Sequence, residues 1–396
     1  MQKTILLNGL YGVQNLGDDY ILLSLVNRLK RRFGSELHVR VLSRGGDVSF
    51  LEEFGDRVEV VSLPSGKLGH ALTEGREAWR NDVHLIGGGG LWPFESKKQM
   101  ALQSLALHAT RAGGGRTVFF GVEVNPPKTD WYKTAWRKQL CLADLFVGRN
   151  TATADAMRAL APDRAEAIHG LADVTYGLDD GRDEMGDKYG DGYVLWALAM
   201  PWSLEELDSP HVRKRYDLLV SQVREMIRKL SSVVDRQLFL PFYHDSDIYF
   251  IRDVTKEIDC EATVIEEGAL PLAQKRVLFK HAAHAIVMRF HGVVFSIHEE
   301  TPFTAIAYSP KITNILEENN LSDRYVKYGI RPTDQFYEEI DLDFPAFEEK
   351  VLQGFEDESL PNRVAAASRS CKRRAEEAYE LLFSSIEGVM RDSRSI

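Results

Sequence analysis

Arg289 and His291 close an apolar run, Ala285-Ile-Val-Met-Arg289-Phe-His291-Gly-Val-Val-Phe-Ser296. The pattern predicts a buried strand over 285–288, a polar turn, and a helix over 293–299. Such a turn sets both side chains at the mouth of a sheet, beside the free N–H groups of a helix start. Open α/β proteins hold anions there. Residues two apart on an extended exit share a side. Arg289 can then hold an oxyanion while His291 donates to it or moves a proton. The competing explanation is a buried arginine paired with a carboxylate and a satisfied histidine. Tyr308 and Lys311 follow the next strand, over 303–307. Lys311 is either a second cation for the same anion or a surface lysine at a helix start.

Five further segments carry candidate chemistry. Gly9-Leu-Tyr-Gly12-Val-Gln-Asn15-Leu-Gly17-Asp18-Asp19 links the first strand to the first helix. Its glycines let backbone approach a ligand, yet its spacing is neither the dinucleotide fingerprint nor a Walker loop. Asn15 and Asp18 are candidates here, with Asp18 or Asp19 also placed to cap the helix. Gly87–Gly90, with Gly88 and Gly89 at its centre, follows a buried strand over 83–86. Either an anion or a closely packed neighbour needs bare backbone there. Arg149 ends a strand over 145–148, suited to a carboxylate or phosphate and equally to a structural salt bridge. His244 beside Asp245 opens the helix after the strand over 237–241, as an acid/base pair or as ordinary helix-start residues, with Asp245, Ser246 or Asp247 also placed to cap that helix. Glu123 and Asn125 leave the strand over 117–122 and reach a ligand or solvent.

Strands and helices alternate through both halves of the chain, which predicts α/β architecture with parallel sheets covered on both faces. The stretch 179–192 is charged, glycine-rich and nearly free of apolar side chains, as expected of a linker. The expected organisation is an N-terminal Rossmann-like domain over 1–178, the linker, a C-terminal Rossmann-like domain over 193–345, and a helical segment over 346–396. Two facing halves with a cleft between them resemble the B-type glycosyltransferase architecture. Ligands in such folds lie at the carboxyl ends of the strands.

At 396 residues the chain is too long for one ordinary core. Apolar and charged fractions of 44% and 27% fit a soluble globular protein rather than a disordered one. A net charge of −10 argues against a nucleic-acid partner. No apolar run approaches the roughly 20 residues of a membrane span, and the N-terminus lacks the pattern of a signal peptide. A cytoplasmic location is expected. Cys141, Cys260 and Cys371 have neither disulfide nor zinc spacing, so no metal is expected.

With these segments in order, the chain resembles the polysaccharide pyruvyl transferase family over roughly residues 5 to 320. The resemblance rests on Gly9-x-x-Gly12-x-x-Asn15-Leu16-Gly17-Asp18, on Gly87–Gly90, on Arg289-Phe290-His291, and on Tyr308 with Lys311. It departs at Arg289-x-His291, where the family usually has leucine in the middle, and at Arg149-Asn150, where the family has an acidic second residue. Phe120-Gly121-Val122-Glu123-Val-Asn125-Pro126 is a loose version of the family's Gln-Gly-Ile/Val-Gly-Pro loop.

The resemblance implies transfer of a pyruvyl group from phosphoenolpyruvate to two hydroxyls of a sugar, with release of phosphate. Arg289 would clamp the donor, His291 would contact its phosphate or shuttle a proton, and Lys311 would add positive charge. Asp18 and His244 stand behind His291 as acid/base candidates. Tyr308, Asn15, Gly88, Gly89, Arg149 and Asp245 complete the expected substrate contacts, the N-terminal loops facing a sugar, glycan or lipid-linked acceptor. No redox cofactor is implied. Three alternatives stay open: a glycosyltransferase using a nucleotide sugar, a non-catalytic glycan- or anion-binding module, and a relative repurposed for a small metabolite.

Overall fold

The computed structural model describes residues 2–90, 96–178, 188–256, 258, 260–329 and 339–392. The chain divides into two compact units, one of Met1–Asp179 with Cys371–Ile396, the other of Asp180–Ser370. Of the expected linker, 179–187 lie outside the described residues. Residues 188–192 are tied to the second unit: Lys188 Nζ donates to Ala269 O at 3.1 Å and Gly192 N to His281 O at 2.9 Å.

The first unit holds seven parallel strands: β1 (Lys3–Asn8), β2 (Leu37–Ser43), β3 (Val58–Ser62), β4 (Val83–Gly90), β5 (Arg116–Glu123), β6 (Leu145–Gly148) and β7 (Ile168–Gly170). Their spatial order is β3-β2-β1-β4-β5-β6-β7. Helices α1 (Leu16–Phe33), α2 (Lys67–Arg80), α3 (Lys97–Ala112), α4 (Asp130–Leu142) and α5 (Thr151–Leu160) cover it. The central strands are buried on both faces and therefore run apolar throughout, as in Ile5-Leu6-Leu7. In α1, Ile21, Leu22, Leu25, Val26 and Leu29 share the buried face.

The second unit repeats the plan with β8 (Tyr193–Ala197), β9 (Gln237–Phe239), β10 (Ala262–Val264), β11 (Ala282–Val287), β12 (Phe303–Ala307) and β13 (Tyr325–Lys327). Their order is β10-β9-β8-β11-β12-β13, again all parallel. Its helices are α6 (Pro210–Leu230), α7 (His244–Thr255), α8 (Leu272–Lys280), α9 (Phe290–His298), α10 (Pro310–Glu318) and α11 (Phe344–Glu356). In each sheet the chain reverses its direction of winding beside the first strand, between β1 and β4 and between β8 and β11. Crevices for ligands open at the strand ends there.

The last helix is α12 (Leu360–Asp392). Its residues up to Ser370 belong to the second unit and those from Cys371 to the first. Phe383 meets Phe33 edge-on at 5.6 Å and Tyr379 meets Phe120 at 5.3 Å, so the last helix completes the first unit's core. Tyr379, Leu382, Phe383 and Ile386 are buried, and burial of each such side chain contributes about 1.5–3 kcal/mol. No helix among the described residues is long and apolar enough to cross a membrane.

Each sheet also buries a histidine near the start of its fourth strand, His84 in β4 and His284 in β11. Thr110 Oγ1 donates to Ala106 O, so it accepts from His84 Nδ1 at 3.0 Å, while His84 Nε2 accepts from Asn8 Nδ2 at 3.3 Å. This network fits only the neutral ring. Burial pushes His84 down to about 4 against a partial offset from Glu74. Burial and the Arg324 charge push His284 down to about 3. The unfolded chain therefore binds protons between pH 6.5 and 4 that the folded chain refuses. Each histidine should remove on the order of 3 kcal/mol of stability as pH falls through that window. Denaturant unfolding at a series of pH values checks this. His84→Gln, which cannot titrate, should lose its share of the slope.

Candidate active site

The clearest concentration of charge at a strand end lies in the second unit. Met288 N donates to Ala197 O at 2.9 Å, which extends the β8–β11 ladder one residue past the strand. Arg289 then becomes the N-cap of α9. The helix starts at Phe290, three residues earlier than the sequence pattern indicates. His291 is thus in its first turn and not on an extended exit, so strand alternation does not set its direction. The residue is 8% exposed, and its ring packs against Phe290 at 5.2 Å and Phe295 at 6.1 Å.

Arg289 grips Asp247 with two nitrogens: Nε donates to Oδ2 at 2.9 Å and Nη2 donates to Oδ1. Asp247 is fully buried in α7 and also accepts from the backbone of Met200 (3.0 Å), Phe242 (3.3 Å) and Tyr243 (2.9 Å). It fastens the exits of β8, β9 and β11 to one another. Burial opposes the Arg289 charge, but Asp247 and the Tyr308 hydroxyl outweigh it and hold the guanidinium above its ordinary value. Arg289 keeps 23% of its side chain exposed. Lys311, on the first turn of α10, places Nζ 5.8 Å over the Phe290 ring. Arg289, Tyr308, Lys311 and His291 therefore gather on the exits of β11 and β12.

Asp247 is the residue that sequence reasoning undervalued, treating it only as a helix cap. It does act locally in that way, since its carboxylate reaches back to the Tyr243 N–H that precedes α7. The available signal was an acidic residue one turn into the helix that follows β9. His244 and Asp245 open the same helix. Asp245 is exposed. His244 Nδ1 lies 3.5 Å from Glu267 Oε2, so Glu267 and not Asp245 is its carboxylate partner.

The first unit gathers Asn15, Asp18, Gly88 and Gly89 at its own reversal point. Asn15, rather than Asp18 or Asp19, caps α1, its side chain accepting from Gly17 N at 3.1 Å. Asp18 sits in the first turn and is 5% exposed. The glycine run does not form a loop after the strand but belongs to β4, with Gly87, Gly89 and Gly90 paired to β5. Gly88 and Gly89 have φ of 84° and 94°, which side chains disfavour. A Cβ on Gly89 would lie 2.8 Å from Asp18 Oδ1, so at this position bare backbone admits the carboxylate.

Arg149 is committed elsewhere. Its side chain is buried at 1% exposure, bonded to Glu123 and 3.6 Å from Asp173 Oδ2. Asn150 caps α5 through Thr153 N at 2.7 Å. The group fastens the ends of β5 and β6 to the segment after β7. Among the described residues no cluster of three or more His, Cys, Asp or Glu side chains is placed to hold a metal ion.

Three solved structures similar to the chain are a UDP co-structure and two UDP-GlcNAc 2-epimerases. The S. aureus MnaA–UDP structure gives a TM-score of 0.64 at 11% identity, covering 99% of this chain and 97% of that one. The UDP-GlcNAc 2-epimerase of Methanocaldococcus jannaschii gives 0.60 at 12%, covering 97% and 100%. That of Neisseria meningitidis bound to UDP-GlcNAc gives 0.58 at 9%, covering 97% and 100%. At these identities the likeness shows the fold alone, an α/β chain of the B-type glycosyltransferase class. No curated protein sequence matches the chain. The family model for polysaccharide pyruvyl transferase matches residues 15–310, from the cap of α1 to the start of α10 and across Arg289 and His291. The chain belongs to the polysaccharide pyruvyl transferase family, a family of transferases.

Proposed function

We propose that the protein transfers the pyruvyl group of phosphoenolpyruvate onto two hydroxyls of a sugar or glycan precursor. The observation that carries this reading is the Arg289–Asp247 pair at the β11 exit, with Tyr308 beside it and Lys311 on the next strand exit. Phosphoenolpyruvate carries a carboxylate and a phosphate and needs such a concentration of positive charge. Asp247 holds the guanidinium in place, Arg289 clamps the donor and Lys311 adds a second cation.

In ketal formation the enol carbon gains a proton and becomes a methyl group. One acceptor hydroxyl attacks the adjacent carbon, phosphate leaves, and the second hydroxyl closes the ring. The two hydroxyl protons balance the one taken by carbon and the one that departs with phosphate. The two carbons change in opposite directions with no net oxidation or reduction, so no redox cofactor is required. His291 is assigned as the group that moves the proton, and the loops at Asn15 and Gly88–Gly89 are assigned to the acceptor.

A second reading, a glycosyltransferase or related enzyme using a nucleotide sugar, is favoured by the full-length fold likeness to UDP-GlcNAc 2-epimerases. Incubation with phosphoenolpyruvate and a panel of glycosides separates the two. Acceptor-dependent phosphate release is expected. A broad panel without any response, together with failure to bind the donor, would overturn the proposal.

A further inference from the structure

The three most exposed large apolar side chains among the described residues are Leu72 (64%), Trp79 (55%) and Leu105 (54%). All three lie on the neighbouring helices α2 and α3. Leu72 and Trp79 are seven residues apart with Arg76 between them, so they form one stripe on α2. Lys98 and Leu105 repeat that spacing on α3. Gly113 sits so close to the Trp79 carbonyl that any Cβ there would clash, and this brings the end of α3, with Arg111, against Trp79.

The charge on these helices is as uneven as the apolarity. The chain carries a net charge of −10. Yet α2 and α3 together hold six basic residues and only two acidic ones, Glu74 and Glu77. Both glutamates are turned inward, Glu74 accepting from Asn8 Nδ2 at 2.7 Å and Glu77 buried and paired with both Arg40 and Arg76. The outer face therefore offers Arg76, Arg80, Lys98 and Arg111 around three separate apolar groups, with no exposed carboxylate on either helix.

We infer that this face docks the protein on an anionic lipid bilayer. Trp79, Leu72 and Leu105 enter the interface while the basic side chains meet headgroup charge. The acidic remainder of the surface is repelled, which fixes the docking face. Single apolar side chains spaced along two helices, each flanked by arginine or lysine, suit a headgroup layer better than the continuous apolar core of a protein interface. The inference holds whichever donor the enzyme uses.

The test is co-sedimentation of the full chain with phosphatidylcholine vesicles, with and without phosphatidylserine. Binding is expected only with phosphatidylserine, weakening as salt is raised. Each basic residue at such a surface is worth roughly five-fold in partitioning, so Arg80→Glu with Arg111→Glu should lower binding by at least about 25-fold. Trp79→Ser with Leu105→Ser should also reduce it. All four side chains are exposed, so thermal melting of both double variants should match that of the parent and separate lost docking from lost folding. No association with phosphatidylserine vesicles overturns the inference, as does association that these substitutions leave unchanged.

Discussion

Arg289→Met should lower kcat/KM by about 10²–10³-fold, the loss seen when one charge-stabilising donor is removed from a reaction centre. It should also cost about 3 kcal/mol of stability. Asp247 is fully buried, and methionine leaves its carboxylate without a counter-charge. Breaking a buried pair by removing one partner typically costs about 3–5 kcal/mol. The lower end applies because Met200, Phe242 and Tyr243 continue to donate to Asp247. Arg289→Lys should recover most of the stability and little of the activity, since an ammonium restores charge but not the two-pronged fork. Steady-state kinetics below the variant's melting temperature, paired with urea unfolding, separate the two losses. Equal recovery of both by lysine would show that Arg289 serves the fold alone.

His291→Gln should lower kcat by about 10²–10⁴-fold, the usual contribution of a positioned acid or base. Its effect on the donor's KM should be small. Glutamine keeps a hydrogen-bonding group in the first turn of α9 but cannot carry a proton at neutral pH. The ring lies against Phe290 and Phe295, so some loss of packing is expected as well. The pH–rate profile distinguishes the roles. If His291 moves the proton, the variant's profile loses one limb. An intact profile with a raised KM would instead make His291 a phosphate contact.

The architecture was legible wherever pattern is local. Apolar runs such as those of β1, β8 and β11 mark strands buried on both faces, and the leucine spacing of α1 marks its helix. Three-residue strands such as β7 and β13 are too short to carry a period. The start of α9 was hidden because Arg289 caps it without a side-chain bond and Phe290 continues the apolar run. Gly87–Gly90 looked like a loop because glycine usually breaks a strand, yet here the β5 ladder holds it in the sheet.

The candidate site was visible as residue types and invisible as pairings. Arg289 and Asp247 are 42 residues apart, and Arg149 and Glu123 are 26 apart. Such pairs meet only because parallel strands bring successive carboxyl ends to one edge. That is why one arginine could be placed with the candidate chemistry and the other, with the same local pattern, turned out to be fastened within the fold.

The most direct test of the central claim is a thermal-shift comparison of phosphoenolpyruvate with UDP-sugars, using the parent protein and Arg289→Lys. A ligand that binds only the folded state raises stability by about 2.7 kcal/mol at a hundred times its Kd, or roughly 5–11 °C in Tm for a domain of 150–250 residues. That rise is expected with phosphoenolpyruvate, with its loss in Arg289→Lys and no rise with UDP-sugars. A shift with UDP-sugars and none with phosphoenolpyruvate would contradict it.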